Sequence, residues 1–207
     1  MINVAICVPS LGHWEADFGV SLASLCLRMK CPTMVLNTRG SMLPTNRETL
    51  VRIALEKKAT HLLFLDSDMH FPPSVFGVLN HWDKDFVAAN CVTKRIPAEP
   101  TAKGLDGNPV YSDPRKIGLE EVQHVGLAVA LIKAKALKGL SPPLFDMEWR
   151  NETGTHDGED VYLCKKLRKE KGIKLWVDHE LSRQIRHVGS FAYSHRYVGE
   201  VKRESAA

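Results

Sequence analysis

Two aspartates, Asp66 and Asp68, stand two residues apart directly after the apolar run His61-Leu62-Leu63-Phe64-Leu65. A continuous apolar run suits a strand buried on both faces, with helices packed over each. Side chains alternate along a strand, so carboxylates at this spacing face one crevice if the strand geometry continues. That crevice lies beyond the carboxyl end of the strand, where open α/β sheets bind ligands. Two hard oxygen donors there suit Mg2+ or Mn2+ shared with a phosphate. The structural alternative is a polar turn in which Asp66 or Asp68 caps the segment that Pro72 and Pro73 open.

Other residues with chemical potential lie near expected element ends. Thr45-Asn46-Arg47-Glu48 reads as a capping box, with Thr45 capping a helix and Glu48 reaching back. Arg47 then falls in the first turn, as an anion clamp on a phosphate or as a solvated arginine. A second acidic cluster, His156-Asp157-Gly158-Glu159-Asp160, precedes another helix. Asp157 can cap that helix, with Asp160 at the capping-box position. Gly126 would let a ligand approach the backbone closely, or would mark a bulge. Lys94 and Arg95 could meet phosphates or be solvated, and Trp149 could stack on a sugar or plug the core.

The elements that must position these residues follow from periodicity and punctuation. Ile2 to Val8 is a β-rich run ending at Pro9-Ser10. Phe18, Val20, Leu22, Leu25 and Leu27 permit a helix over about residues 15–30, and Met34 to Asn37 is a short strand. The Arg47 helix then delivers the chain into the Asp66 strand. The order is β-α-β-α-β, the signature of a parallel sheet in an α/β fold. A helix to roughly His81 and a strand over Asp85–Asn90 come next. Residues 94–118, rich in Pro and Gly, read as loop or hairpin with little core, the material of lids and binding loops. Val122 to Ile132 reads as one further strand near Gly126, and Ala134 to Leu140 as a short helix. The helix after Asp160 stops at Gly172, Ile173 to Asp178 forms a last strand, and His187 follows. Residues 1–190 read as a single domain, and 191–207 as a basic tail, mobile at its end.

Composition narrows the partners. The 207 residues are 44% hydrophobic and 25% charged, which is ordinary for a globular protein with a substantial core. A net charge of +4 is too mild for a dedicated nucleic-acid binder and suits an anionic ligand such as a nucleoside diphosphate. Five cysteines without a CxxC pair argue against a zinc site or a disulfide framework. No apolar run reaches the ~20 residues of a membrane span, and no signal segment opens the chain, so a cytoplasmic protein is expected.

In order along the chain, Val8-Pro9-Ser10, Leu65-Asp66-Ser67-Asp68, Gly158-Glu159-Asp160-Val161-Tyr162-Leu163-Cys164, and Val177-Asp178 leading to His187 resemble a GT-A-fold glycosyltransferase of the family 2-like kind. The resemblance spans about residues 2–190. It implies an open, mainly parallel, Rossmann-like sheet with helices on both faces. It also implies a nucleoside-diphosphate sugar donor (a UDP- or GDP-sugar), a hydroxyl acceptor, and a Mn2+ or Mg2+ cofactor. By the same resemblance Pro9 and Ser10 line the base pocket, and Arg47 reaches the base or diphosphate. Asp68 is the direct metal ligand, with Asp66 nearer the ribose or a metal-bound water, and His187 joins the metal site. Asp160 is the base of an inverting single displacement, with Glu159 second. The motif of processive polysaccharide synthases is missing, which points to single-sugar transfer.

Rivals fit less well. A haloacid-dehalogenase-like phosphatase carries its aspartates after the first strand and a Thr or Val where His70 stands. A sugar-nucleotide pyrophosphorylase needs a Gly-rich, Arg-containing loop after strand one, unlike Pro9-Ser10-Leu11-Gly12-His13. A non-catalytic nucleotide-sugar or carbohydrate-binding module would not need the Glu159 and Asp160 carboxylates.

Overall fold

The computed structural model describes residues 1–151, 154–189, 192–195 and 198. Its first five elements are β1 (Val4–Ser10), α1 (Ala16–Arg28), β2 (Thr33–Arg39), α2 (Leu43–Glu56) and β3 (His61–Leu65), the expected β-α-β-α-β run. Then come β4 (Met69–His70), α3 (Val75–His81), β5 (Phe86–Ala89), β6 (Lys103–Gly104), β7 (Leu119–His124), β8 (Val129–Lys133) and α4 (Ala134–Leu137). The chain continues through β9 (Glu148–Arg150), β10 (Thr155–Asp157), α5 (Glu159–Lys171), β11 (Leu175–Asp178), α6 (His179–Ser182) and β12 (Arg186–His187).

Eight strands form one sheet in the order β2-β1-β3-β8-β5-β11-β7-β6. β1 is parallel to β2 and β3, and β5 is parallel to β11. β8 lies antiparallel between β3 and β5, and β7 is antiparallel to both β11 and β6. Within this sheet β8 and β7 oppose the direction the other strands share, so it is mixed but mainly of one sense. The chain leaves β1 for β2 on one side and returns to β3 on the other. The carboxyl ends of β1 and β3 therefore flank a topological switch point, which opens a crevice.

The unbroken apolar runs are explained by burial on both faces. Val4, Ile6 and Val8 of β1 pack with Phe18, Leu22 and Leu25 of α1, Val75 and Leu79 of α3, and Leu181 of α6. Ala5 and Cys7, pointing the other way, pack with Leu50, Val51 and Ala54 of α2, with α4, and with Leu163, Cys164 and Leu167 of α5. Each buried Val, Leu, Ile or Phe among them contributes roughly 1.5–3 kcal/mol. All five cysteines are free.

Several local expectations are corrected. The run Val122–Ile132 is two strands, separated by a crossing at Gly126 that carries the chain from beyond β11 to between β3 and β5. α2 starts at Leu43 with Pro44 in its first turn and no side-chain cap. Proline needs no N–H partner there and presets φ, so Thr45 is internal. Glu48 instead accepts hydrogen bonds from the backbone N–H groups of Leu144 (2.8 Å) and Phe145 (3.2 Å). α5 likewise has Gly158 at its N-cap and no side-chain cap. Asp157 is drawn away by Arg150 and Lys165, at 2.9 and 2.8 Å. Its far end behaves as expected, with Gly172 at φ +62° in the left-handed cap.

On α1, Val20 and Leu27 face outward, so the buried stripe is narrower than the apolar pattern. Trp149 is 53% exposed, not in the core, with its ring edge on His156. The 94–118 segment is packed, with Ala98, Ala102 and Val110 buried. Beyond His187, the backbones of His187 and Tyr193 exchange two hydrogen bonds of 2.9 Å. Arg196, Tyr197, Lys202 and Arg203 of the expected tail lie outside the described residues.

Candidate active site

A cleft of about 330 Å3 opens at the switch point, lined by Pro9 and Ser10 from the end of β1 and by Asp66, Ser67 and Asp68 after β3, with Lys94 across from them. The β1 wall is held by asparagines with no recognisable pattern in the sequence. Asn37 Nδ2 donates to the Val8 carbonyl (2.8 Å) and to Ser10 Oγ (3.2 Å), and Ser10 Oγ donates to the Thr38 carbonyl (3.0 Å). Asn46 Nδ2 holds the Gly40 carbonyl at 2.7 Å, and Gly40 N–H donates to the Ser10 carbonyl at 3.0 Å. These bonds tie the backbone of the β1 end to β2 and to the start of α2.

Strand geometry ends at Leu65, and Asp66 to Asp68 form a turn closed by Met69 N–H on the Asp66 carbonyl. Both carboxylates still line the cleft, but they have different partners. Asp66 accepts from Arg47 Nη2 through both oxygens, at 2.9 and 3.1 Å. Arg47 is 2% exposed, not solvated. Its Nε lies 3.2 Å from Glu159 Oε1, an ion pair too poorly aligned to be a hydrogen bond, and its guanidinium stands 5.9 Å from the Phe64 ring centroid. One buried cation thus joins the Asp66 turn to the start of α5. Burial pushes the Asp66 and Glu159 carboxyls up, and Arg47 pulls both back towards the charged form.

Asp68 turns to the opposite side. Its Oδ2 is 2.6 Å from Lys94 Nζ and 3.3 Å from His187 Nε2. Burial alone would raise the Asp68 carboxyl, but hydrogen bonds from His187 and Lys94 hold it below the usual range. His187 Nδ1 lies 2.8 Å from the Val92 carbonyl, which can only accept, so Nδ1 carries the hydrogen. Its Nε2 in turn faces the Asp68 carboxylate at 3.3 Å, donating to it when protonated and open to a cation shared with Asp68 when not. Asp68 Oδ1 is buried and has no hydrogen-bond partner among the described residues. This oxygen-plus-imidazole donor set, backed by a carbonyl behind the histidine, fits a divalent ion such as Mn2+. Among the described residues no three His, Cys, Asp or Glu side chains converge as a metal cluster. The protein would thus supply Asp68 and His187, and ligand oxygens the rest.

Asp160 stands at the head of α5, partly exposed, with Oδ1 accepting from Val161 N–H at 2.7 Å. A Cβ on Gly126 would lie 3.1 Å from Thr101 Oγ1 and 3.4 Å from Asp160 Oδ2. Gly126 is therefore a close-approach position beside Asp160, and the neighbours it admits are protein atoms. Thr101 Oγ1 is buried with no hydrogen-bond partner among the described residues. Its place beside Asp160 carried no sequence signal, because it depends on where the packed 94–118 segment lies. Of the expected site residues, Pro9, Ser10, Asp66 and Asp68 share the cleft, and Arg47 and Glu159 stand behind it. His187 backs Asp68, while Asp160 pairs with Gly126.

No family model matches the sequence, and comparison with curated proteins gives no match. Among solved structures, A197 from STIV matches with a TM-score of 0.65 at 20% identity, covering 95% of this chain and 92% of that one. Residues 1–349 of TarS from S. aureus, solved in complex with UDP-GlcNAc, match at a TM-score of 0.47 and 15% identity, over 86% of this chain and 55% of that one. A glycosyltransferase involved in the glycosylation of the major capsid of PBCV-1 gives 0.38 and 12%, over 66% and 62%. This chain thus spans little more than half of the TarS fragment. At these identities the likeness is one of fold. With its sheet order and its two helical layers, the chain has a GT-A-like α/β fold.

Proposed function

We propose that the protein is a glycosyltransferase that moves a sugar from a nucleoside-diphosphate sugar to a hydroxyl acceptor by single displacement. The observation that carries this reading is the switch-point cleft, where the Pro9-Ser10 edge and Asp68 line one space and His187 stands behind Asp68. The β1 edge would receive the base, and Asp68 with His187 would hold Mn2+ or Mg2+ beside the diphosphate. Such an ion, when bound, would neutralise the charge that builds on the leaving phosphate. The attacking hydroxyl becomes more acidic as it bonds to the anomeric carbon, so a carboxylate can accept its proton. Asp160 is that base. Glu159 is occupied by the buried Arg47 and positions the start of α5 instead.

The test is a panel of UDP- and GDP-sugars incubated with Mn2+ and read as released nucleoside diphosphate. Release from one donor, increased by a hydroxyl acceptor, is the expected result. Donor binding without any release would instead favour a nucleotide-sugar-binding module.

A further inference from the structure

We propose that Lys94 is a resident cation of the diphosphate subsite, able to hold a nucleoside diphosphate without a divalent ion and competing with that ion for Asp68. The inference rests on the donor-site reading above and concerns a residue that reading leaves unused. Lys94 Nζ lies 2.6 Å from Asp68 Oδ2, the same oxygen that His187 Nε2 approaches at 3.3 Å. The ammonium thus occupies the Asp68 oxygen that also faces His187. It is built in by the chain. Lys94 follows two residues after Val92, whose carbonyl orients His187, and a turn fixes its backbone through Thr93 N–H on the Glu99 carbonyl (2.9 Å) and Glu99 N–H on Thr93 Oγ1 (3.0 Å). Its stem lies over Gly189, whose Cβ position is 3.4 Å from Lys94 Cδ.

Charge accounting gives the lysine a task. Arg47 is committed to Asp66 and Glu159 behind the cleft. Among the described residues Lys94 is the lysine or arginine that lines the cleft, with a side chain 34% exposed. An ammonium has three donors on a flexible stem, so it can bridge Asp68 and a phosphate oxygen at once, or swing from one to the other. Any cation binding Asp68 Oδ2 must displace it or share that oxygen.

The test is calorimetric titration of UDP, GDP and Mn2+ alone into the wild type, Lys94→Gln and Lys94→Arg, with nucleotide runs in chelator and in Mn2+. The wild type is expected to bind one nucleotide in chelator. Lys94→Gln should lose about tenfold or more of that affinity, the usual weight of a charge-assisted hydrogen bond, and Lys94→Arg should keep most of it. With Mn2+ alone, Lys94→Gln should bind the ion several-fold more tightly, because the competitor is gone. A lysine that only supports structure would weaken both. Nucleotide binding by the wild type in Mn2+ but not in chelator overturns the proposal. So does an unchanged metal-free affinity or a weakened Mn2+ affinity in Lys94→Gln. Failure of both nucleotides in both conditions overturns the donor reading itself.

Discussion

Arg47 shows how much one side chain can organise. It is among the largest fully buried side chains, and its charge is divided between carboxylates from two distant parts of the chain. Removing one partner of a buried ion pair leaves the others charged without compensation, which typically costs 3–5 kcal/mol. Arg47→Met is therefore expected to lower stability by about 3 kcal/mol, at the low end because Asp66 keeps some water contact. Urea unfolding measures it. Arg47→Lys should rescue little, since one ammonium cannot reproduce a fork that meets Asp66 through Nη2 and Glu159 through Nε. A loss well under 1 kcal/mol would mean that the pairing contributes no more than a surface ion pair.

Elements are joined at this end of the sheet by buried polar side chains, and the 94–118 segment owes its packing to them. Asn90, fully buried after β5, donates from Nδ2 to the Val110 carbonyl (2.7 Å) and accepts Ala102 N–H at Oδ1 (3.0 Å). His179, at the start of α6, lies between Ser112 Oγ at Nδ1 (2.9 Å) and Glu120 Oε2 at Nε2 (3.0 Å). The carboxylate can only accept, so Nε2 carries the hydrogen and Ser112 donates to Nδ1. Burial holds the His179 imidazole below its usual 6.5, against the opposing pull of Glu120. A depressed histidine contributes stability that is fully present above the unfolded value and is lost as pH falls through the folded one. His179→Gln should therefore melt lower than the wild type near pH 7.5, and the gap should narrow towards pH 5.5, because only the wild type carries a titrating group at this position. Thermal melts across that range measure the gap, and a constant gap would place the effect in packing alone.

At the scale of the molecule, the cleft exists because β2 and β3 flank β1 on opposite sides, while α5 arrives from the far half of the chain and is tied in through Arg47. The proposed function assigns donor binding to the β1 and β3 ends and proton transfer to the head of α5. Asp160→Asn should then bind nucleoside diphosphate like the wild type while losing transfer by about 10²–10⁴-fold, the usual contribution of a positioned base. Titration calorimetry and donor turnover on the same preparation separate the two, and wild-type turnover would move the role away from Asp160. No helix among the described residues is long and apolar enough to cross a membrane.

Local pattern was enough for whatever depends on local pattern. Uninterrupted runs such as Val4–Val8 and His61–Leu65 announced strands covered on both sides, and their alternation with helical segments announced the α/β layers. That Asp66 and Asp68 would line a crevice was legible because a strand's carboxyl end is a local property. Folding in three dimensions decided the partners. The capping boxes at Thr45 and Asp157 were sound in pattern, but Pro44 in one case and Arg150 with Lys165 in the other offered better alternatives. The insertion of β8 between β3 and β5 split an apolar run that periodicity joined. The pairing of Arg47 with Glu159, and of Lys94 with Asp68, links residues far apart in the chain, where charge type alone names no partner. Periodicity reports which face a residue occupies, whereas the order of strands across the sheet sets which faces meet.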